Sequence, residues 1–108
     1  MDDREFRRLA DEALDQLNRK LAVAGERQGF ESDLNSGALS VEFDDPPGRF
    51  VVSPNSPVRQ IWVSALTRSF KLDWNADRQS FVLPDTRQTL LELMESAITT
   101  HTGEEVKL

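Results

Sequence analysis

Residues 58–65 read VRQIWVSA, and the phase of this stretch decides the fold. As a strand it sends successive side chains to opposite faces. Ile61, Val63 and Ala65 then share one face, and Gln60, Trp62 and Ser64 share the other. The aliphatic face belongs against a core. The tryptophan, the largest side chain in the stretch, is left on the polar face. Such one-sided alternation is the mark of an antiparallel sheet covered on one face and wet on the other.

The neighbouring segments alternate in the same way. FESDL (30–34), ALSVEF (38–43), RFVVS (49–53), FKLDW (70–74) and SFVL (80–83) join QIWVSA (60–65) as short strands. NSG (35–37), DDPPG (44–48), PNSP (54–57) and NADR (75–78) supply turn chemistry between them. By phase, the outward face carries Glu31, Asp33, Ser40, Glu42, Val51, Ser53, Gln60, Trp62, Ser64, Lys71 and Asp73.

Helical periods flank the strands. Phe6, Ala10, Leu14, Leu17 and Leu21 recur at steps of three and four, predicting a helix from about Arg4 to Ala24 with Gly25 as its stop. Asp2 and Asp3 suit its N-terminus. A second helix is predicted over 86–101. Asp85 and Gln88 have capping-box spacing, Leu90, Met94, Ala97 and His101 form the stripe, and Gly103 is the end. The only histidine, His101, reads as a packed residue or a partner of the helix dipole. The expected architecture is α+β. It is a two-layer sandwich with N- and C-terminal helices packed on one face of a five- to six-stranded antiparallel sheet, in one domain over 1–108.

Composition narrows the chemistry. The absence of cysteine excludes disulfides, thiolate metal sites, iron–sulfur ligation and cysteine catalysis. No apolar run approaches the roughly 18 residues that span a bilayer. The acidic, periodic start MDDREFRRLADEALDQL is unlike a signal peptide, so the expectation is a cytoplasmic protein. The net charge of −6 arises in the first 45 residues, which hold 12 acids against 6 cationic side chains. That balance speaks against nucleic acid, which needs a basic face. It suits cations, a basic protein surface or plain solubility.

Taken in order, these motifs resemble the frataxin family, the bacterial form more than the mitochondrial one. EFRRLADEAL (5–14) is similar to the opening helix, NSGALSVEF (35–43) to the first hairpin, and VSPNSPVRQIWVSA (52–65) to the most characteristic stretch of the family. FKLDW, LLELMESA (90–97) and ITTHTG (98–103) continue the match almost to the end. The resemblance implies weak iron binding, Fe2+ or Fe3+, on an acidic ridge formed by the first helix and first strand. It implies regulation of iron–sulfur cluster assembly through the cysteine desulfurase–scaffold complex, by a monomer with no membrane and no nucleic-acid role. It also implies that Trp62 faces out to meet that machinery, with Asn55 and Gln60 on the same surface. Many members carry a basic residue before this polar position, and this chain has Ser53-Pro54 there.

The metal candidates are Asp11, Glu12 and Asp15 on the helix and Glu31 and Asp33 on the first strand. Clustered carboxylates attract hard cations and can share a hydrated ion. Three pairs compete with that role, since Arg7–Asp11, Arg8–Glu12 and Asp15–Arg19 have ion-pair spacing on a helix. Residues 18–25, NRKLAVAG, contain no acid where bacterial frataxins are densely acidic. Two alternatives to the regulator stay open. One is a ferroxidase-type enzyme, which needs a preorganised di-iron site. The other is a protein-binding module with little metal binding.

Overall fold

Asp2 accepts a hydrogen bond from the Glu5 N–H at 2.8 Å and starts α1 (Asp3–Gln28) in the computed structural model, which describes residues 1–108. Phe6, Ala10, Leu14, Leu17 and Leu21 are buried along its length, as the stripe predicts. The helix does not stop at Gly25. It continues to Gln28 and ends at Gly29, whose φ of 79° is the left-handed cap. Gly25 serves a different purpose, because a Cβ there would strike the Phe30 carbonyl oxygen. The glycine lets the next strand start against the helix.

Six strands follow in chain order, each antiparallel to the next: β1 (Phe30–Asn35), β2 (Ala38–Asp44), β3 (Pro47–Asn55), β4 (Gln60–Ala65), β5 (Arg68–Asn75) and β6 (Ser80–Val82). Ser36 and Gly37, both at positive φ, turn β1 into β2. The expected breaks at the prolines are shorter than the sequence suggests. Pro47 opens β3, and Pro54 lies inside it, opposite Ile61. Beyond Val52 this strand pairs with β4 alone, and a strand with one free side tolerates proline. A single 3-10 turn at Ser56–Val58 then leads into β4.

The second helix, α2 (Leu90–Thr102), starts four residues later than the sequence predicts, and its cap is not Asp85–Gln88. Residues 83–88 form a turn, with Arg87 N–H on the Leu83 carbonyl and Leu83 N–H on the Gln88 carbonyl. Thr89 and Glu92 make the capping box instead, each accepting from the other's backbone N–H, at 3.2 and 2.9 Å. The hydrogen bond from the Thr89 N–H lowers the Glu92 pKa, and Arg78 at 3.5 Å adds to the effect. Gly103 ends α2 as expected.

Both helices bury their stripes on one face of the sheet. Phe6, Leu14 and Leu21 of α1 and Met94 and Ile98 of α2 share one core with Leu39, Val41, Phe50, Val52, Ile61, Val63 and Leu72. The chain after α2 folds back and buries Val106 in the same core. Gln28 Nε2 donates to the Glu105 carbonyl at 3.0 Å, and the Leu108 N–H donates to Glu95 at 2.6 Å. His101 packs on the rings of Phe43 and Phe50, with its Nε2 2.8 Å from the Pro46 carbonyl oxygen. No helix is long and apolar enough to cross a membrane.

Candidate functional site

The uncovered face of the sheet is built by strand register. Two residues, Leu66 and Thr67, turn β4 into β5 with φ of 55° and 60°. That turn sets Trp62 opposite Lys71 and Gln60 opposite Asp73. On the other side β3 sets Ser53 opposite Trp62 and Asn55 opposite Gln60. Asn55, Gln60 and Trp62, named from the sequence, therefore adjoin one another.

Trp62 is 37% exposed and is one of four exposed large apolar side chains in the protein. Its indole Nε1 donates to Gln60 Oε1 at 2.9 Å, and Gln60 Nε2 donates to Asp73 Oδ1 at 3.0 Å. Lys71 Nζ stands over the indole ring, 4.9 Å from its centre. The indole is thus held by a hydrogen bond at its edge and a cation at its face. An aromatic held in one orientation loses little entropy when a partner covers it. For Lys71 and Asp73 the sequence carries only their outward phase. Their role depends on register, and Leu-Thr carries none of the turn chemistry that would reveal it.

The carboxylates are dispersed. Glu12 pairs with Arg8 at 3.3 Å and Asp15 with Arg19 at 2.8 Å, both on the exposed surface of α1. Asp11, Glu31 and Asp33 are exposed and lie in no ion pair, so the Arg7–Asp11 spacing does not produce one. No three acidic or histidine side chains stand close enough to enclose a metal ion. Glu26, Glu31 and Asp44 line one shallow depression of about 480 Å³ at the junction of α1, β1 and β2, spaced too widely to enclose an ion. Glu26 lies beyond the stop that Gly25 predicts for the helix, so its place on α1 is not legible in the sequence. Exposed oxygen donors of this kind fit a hydrated hard cation rather than a caged one.

A frataxin-like domain model matches residues 1–104. The fold is similar to frataxin from Psychromonas ingrahamii, a member of the CyaY family. That protein is 26% identical, with a TM-score of 0.77 over 99% of this chain and 97% of that one. It is also similar to trimeric frataxin from the yeast Saccharomyces cerevisiae, complexed with ferrous iron. There the identity is 21% and the TM-score 0.73, over 89% of this chain and 87% of that one. At that identity the likeness is one of fold.

Proposed function

The chain belongs to the frataxin-like domain family, and from that premise we propose that it is an iron-binding regulator of iron–sulfur cluster assembly. It acts on the cysteine desulfurase–scaffold complex in the cytoplasm. The observation that carries this reading is the clamped, exposed Trp62 on a sheet face that the protein's own helices leave bare. Asn55 and Gln60 adjoin it and supply polar contacts. A rigid aromatic with polar neighbours has the make-up of a binding hot spot.

Iron is the ligand in this reading, held weakly. The carboxylates that lie in no ion pair, Asp11, Glu31 and Asp33, raise the local cation concentration. Asp15 and Glu12 contribute less while Arg19 and Arg8 neutralise them. The role is regulatory rather than catalytic. The one histidine, which a di-iron oxidase would use, is committed to the Pro46 carbonyl and the Phe43 and Phe50 rings.

The test is a pull-down of the organism's own desulfurase and scaffold by this chain and by Trp62→Ala, with and without Fe2+. Capture by the wild type and its loss in the variant support the reading. Equal capture by both overturns the assignment of the surface. No capture under either condition overturns the function.

A further inference from the structure

The sixth strand covers only part of the fifth. β6 pairs with Asp73, Trp74 and Asn75, and then Pro84 and the turn at 83–88 carry the chain away. Arg68 to Lys71 are left as an open edge. The two-residue turn at Leu66–Thr67 makes Ala65 and Arg68 the closing hydrogen-bonded pair of the β4–β5 hairpin. By alternation Phe70 directs its N–H and C=O at β4, while Ser69 and Lys71 direct theirs outward. No turn or loop backbone bond satisfies either residue.

A groove of about 550 Å³ runs between this edge and α2. Phe70, Leu93 and Ala97 give it an apolar floor. Arg68 and Lys71, the two charged side chains on the open edge, are exposed and lie in no ion pair. The two acids that also line the groove, Asp73 and Asp85, belong to the paired stretch of β5 and to the 83–88 turn, and Asp73 is hydrogen-bonded to Gln60. Arg68 rests its guanidinium 5.0 Å from the centre of the Phe70 ring, on the groove side, and Lys71 lies on the outer face.

We propose that the open β5 edge binds an extended segment of a partner protein by strand addition, with an apolar residue of the segment in the groove on Phe70 and carboxylates facing Arg68 and Lys71. The backbone groups of Ser69 and Lys71 supply the pairing, as a free sheet edge does for an added strand. The apolar floor admits one side chain of the segment on the α2 side, and the two cations select acidic neighbours. A second copy of this chain fits less well. Antiparallel pairing of two such edges about Phe70 would set Lys71 opposite Ser69 and Arg68 opposite Leu72 of the other copy, gathering four cations along one seam with no carboxylate facing any of them. The site adjoins the Trp62 surface through Lys71, whose ammonium stands over the indole, so a carboxylate that draws Lys71 to the edge also loosens the ring.

The probe is the capped hexapeptide acetyl-Thr-Glu-Thr-Val-Glu-Thr-amide, titrated into the 15N-labelled full chain. The expected result is saturable binding in roughly the high-micromolar to millimolar range. Shifts should appear at Ser69, Phe70, Lys71, Leu93 and Ala97, and amide exchange at Ser69 and Lys71 should slow. Methylating the peptide nitrogens that face β5, or replacing both glutamates with lysine, should weaken binding about tenfold or more. Ser69→Pro removes an N–H that the fold leaves unpaired, so it should keep the melting temperature and abolish binding. Arg68→Glu, which leaves the backbone alone, should weaken binding of this peptide and improve binding of the lysine version. Absence of saturable shifts, shifts centred on Trp62, or undiminished binding of the methylated peptide would each overturn the proposal. Concentration-dependent shifts at Ser69 and Lys71 without peptide would overturn it in favour of self-pairing.

Discussion

Gln60 holds Trp62: the indole N–H of the second is hydrogen-bonded at 2.9 Å to the side-chain oxygen of the first, two residues earlier on the same strand face. The other end of the Gln60 amide is held by Asp73 of β5. The orientation of the one large exposed aromatic on this face is therefore set by a polar chain across two strands. Gln60→Ala should leave the fold nearly unchanged, within about 1 kcal/mol, because a partly exposed hydrogen bond contributes little net stability. Under the proposed function it should weaken desulfurase–scaffold binding by freeing the indole. Chemical denaturation and binding measured on the same variant check both halves.

Trp62 and Ile61 should separate stability from binding. Trp62→Ala removes a partly exposed ring and its contact with Lys71, a loss of about 1 kcal/mol. It should cost about 2 kcal/mol or more in partner binding. Ile61 is fully buried, and Ile61→Ala should destabilise the fold by roughly 2–5 kcal/mol through its cavity. Thermal melts of the two variants rank them. A Trp62→Ala protein as unstable as Ile61→Ala would contradict the face assignment.

Arg19 and Lys20 should limit cation binding. Arg19 is 2.8 Å from Asp15 and neutralises it. The double change Arg19→Glu, Lys20→Glu frees that carboxylate and adds two more, so Fe2+ or Co2+ affinity should rise several-fold, on the order of 1 kcal/mol. NMR line broadening under Co2+ should centre on Asp11, Asp15, Glu31 and Asp33 in the wild type, and spread to 19–20 in the variant. An unchanged affinity would dissociate iron from this side of α1.

Acid should loosen the start of α2 in a way that depends on Glu92. The hydrogen bond from the Thr89 N–H favours the ionised carboxylate and lowers its pKa in the folded state. A lowered pKa contributes stability above the unfolded-state value, and that contribution is lost as pH falls through the folded-state value. The contribution therefore begins to fall as pH approaches about 4.5, where an ordinary glutamate is half protonated, and is lost below that as pH passes the lowered folded-state value. Glu92→Gln, which does not titrate, should show a smaller fall in melting temperature between pH 7 and pH 3 than the wild type.

Two glycines four residues apart should respond differently to alanine. At Gly29 the methyl meets open space, and only the positive φ is strained, at about 1 kcal/mol. At Gly25 the methyl strikes the Phe30 carbonyl, a backbone atom, so helix or strand must shift to admit it and about 2 kcal/mol or more is expected. Denaturant midpoints of Gly25→Ala and Gly29→Ala give the order.

Period was enough to place the core. The alternation in QIWVSA commits Ile61 and Val63 inward and Trp62 outward, and the steps from Phe6 to Leu21 commit one stripe of α1, because side-chain direction follows from the local backbone repeat alone. Element ends were another matter. α1 runs past Gly25 because that glycine answers a contact with Phe30, and α2 waits for Thr89 because residues 83–88 bond to one another first. Only the tertiary structure decided which side chains meet. The register from Leu66–Thr67 brings Lys71 over Trp62 and Asp73 to Gln60, and the short β6 leaves Ser69 and Lys71 unpaired. The sequence by itself settled faces, since these repeat every two or three to four residues along one chain. Register, caps and open edges awaited the fold, because each depends on a partner distant along the chain and on what that partner leaves unbonded.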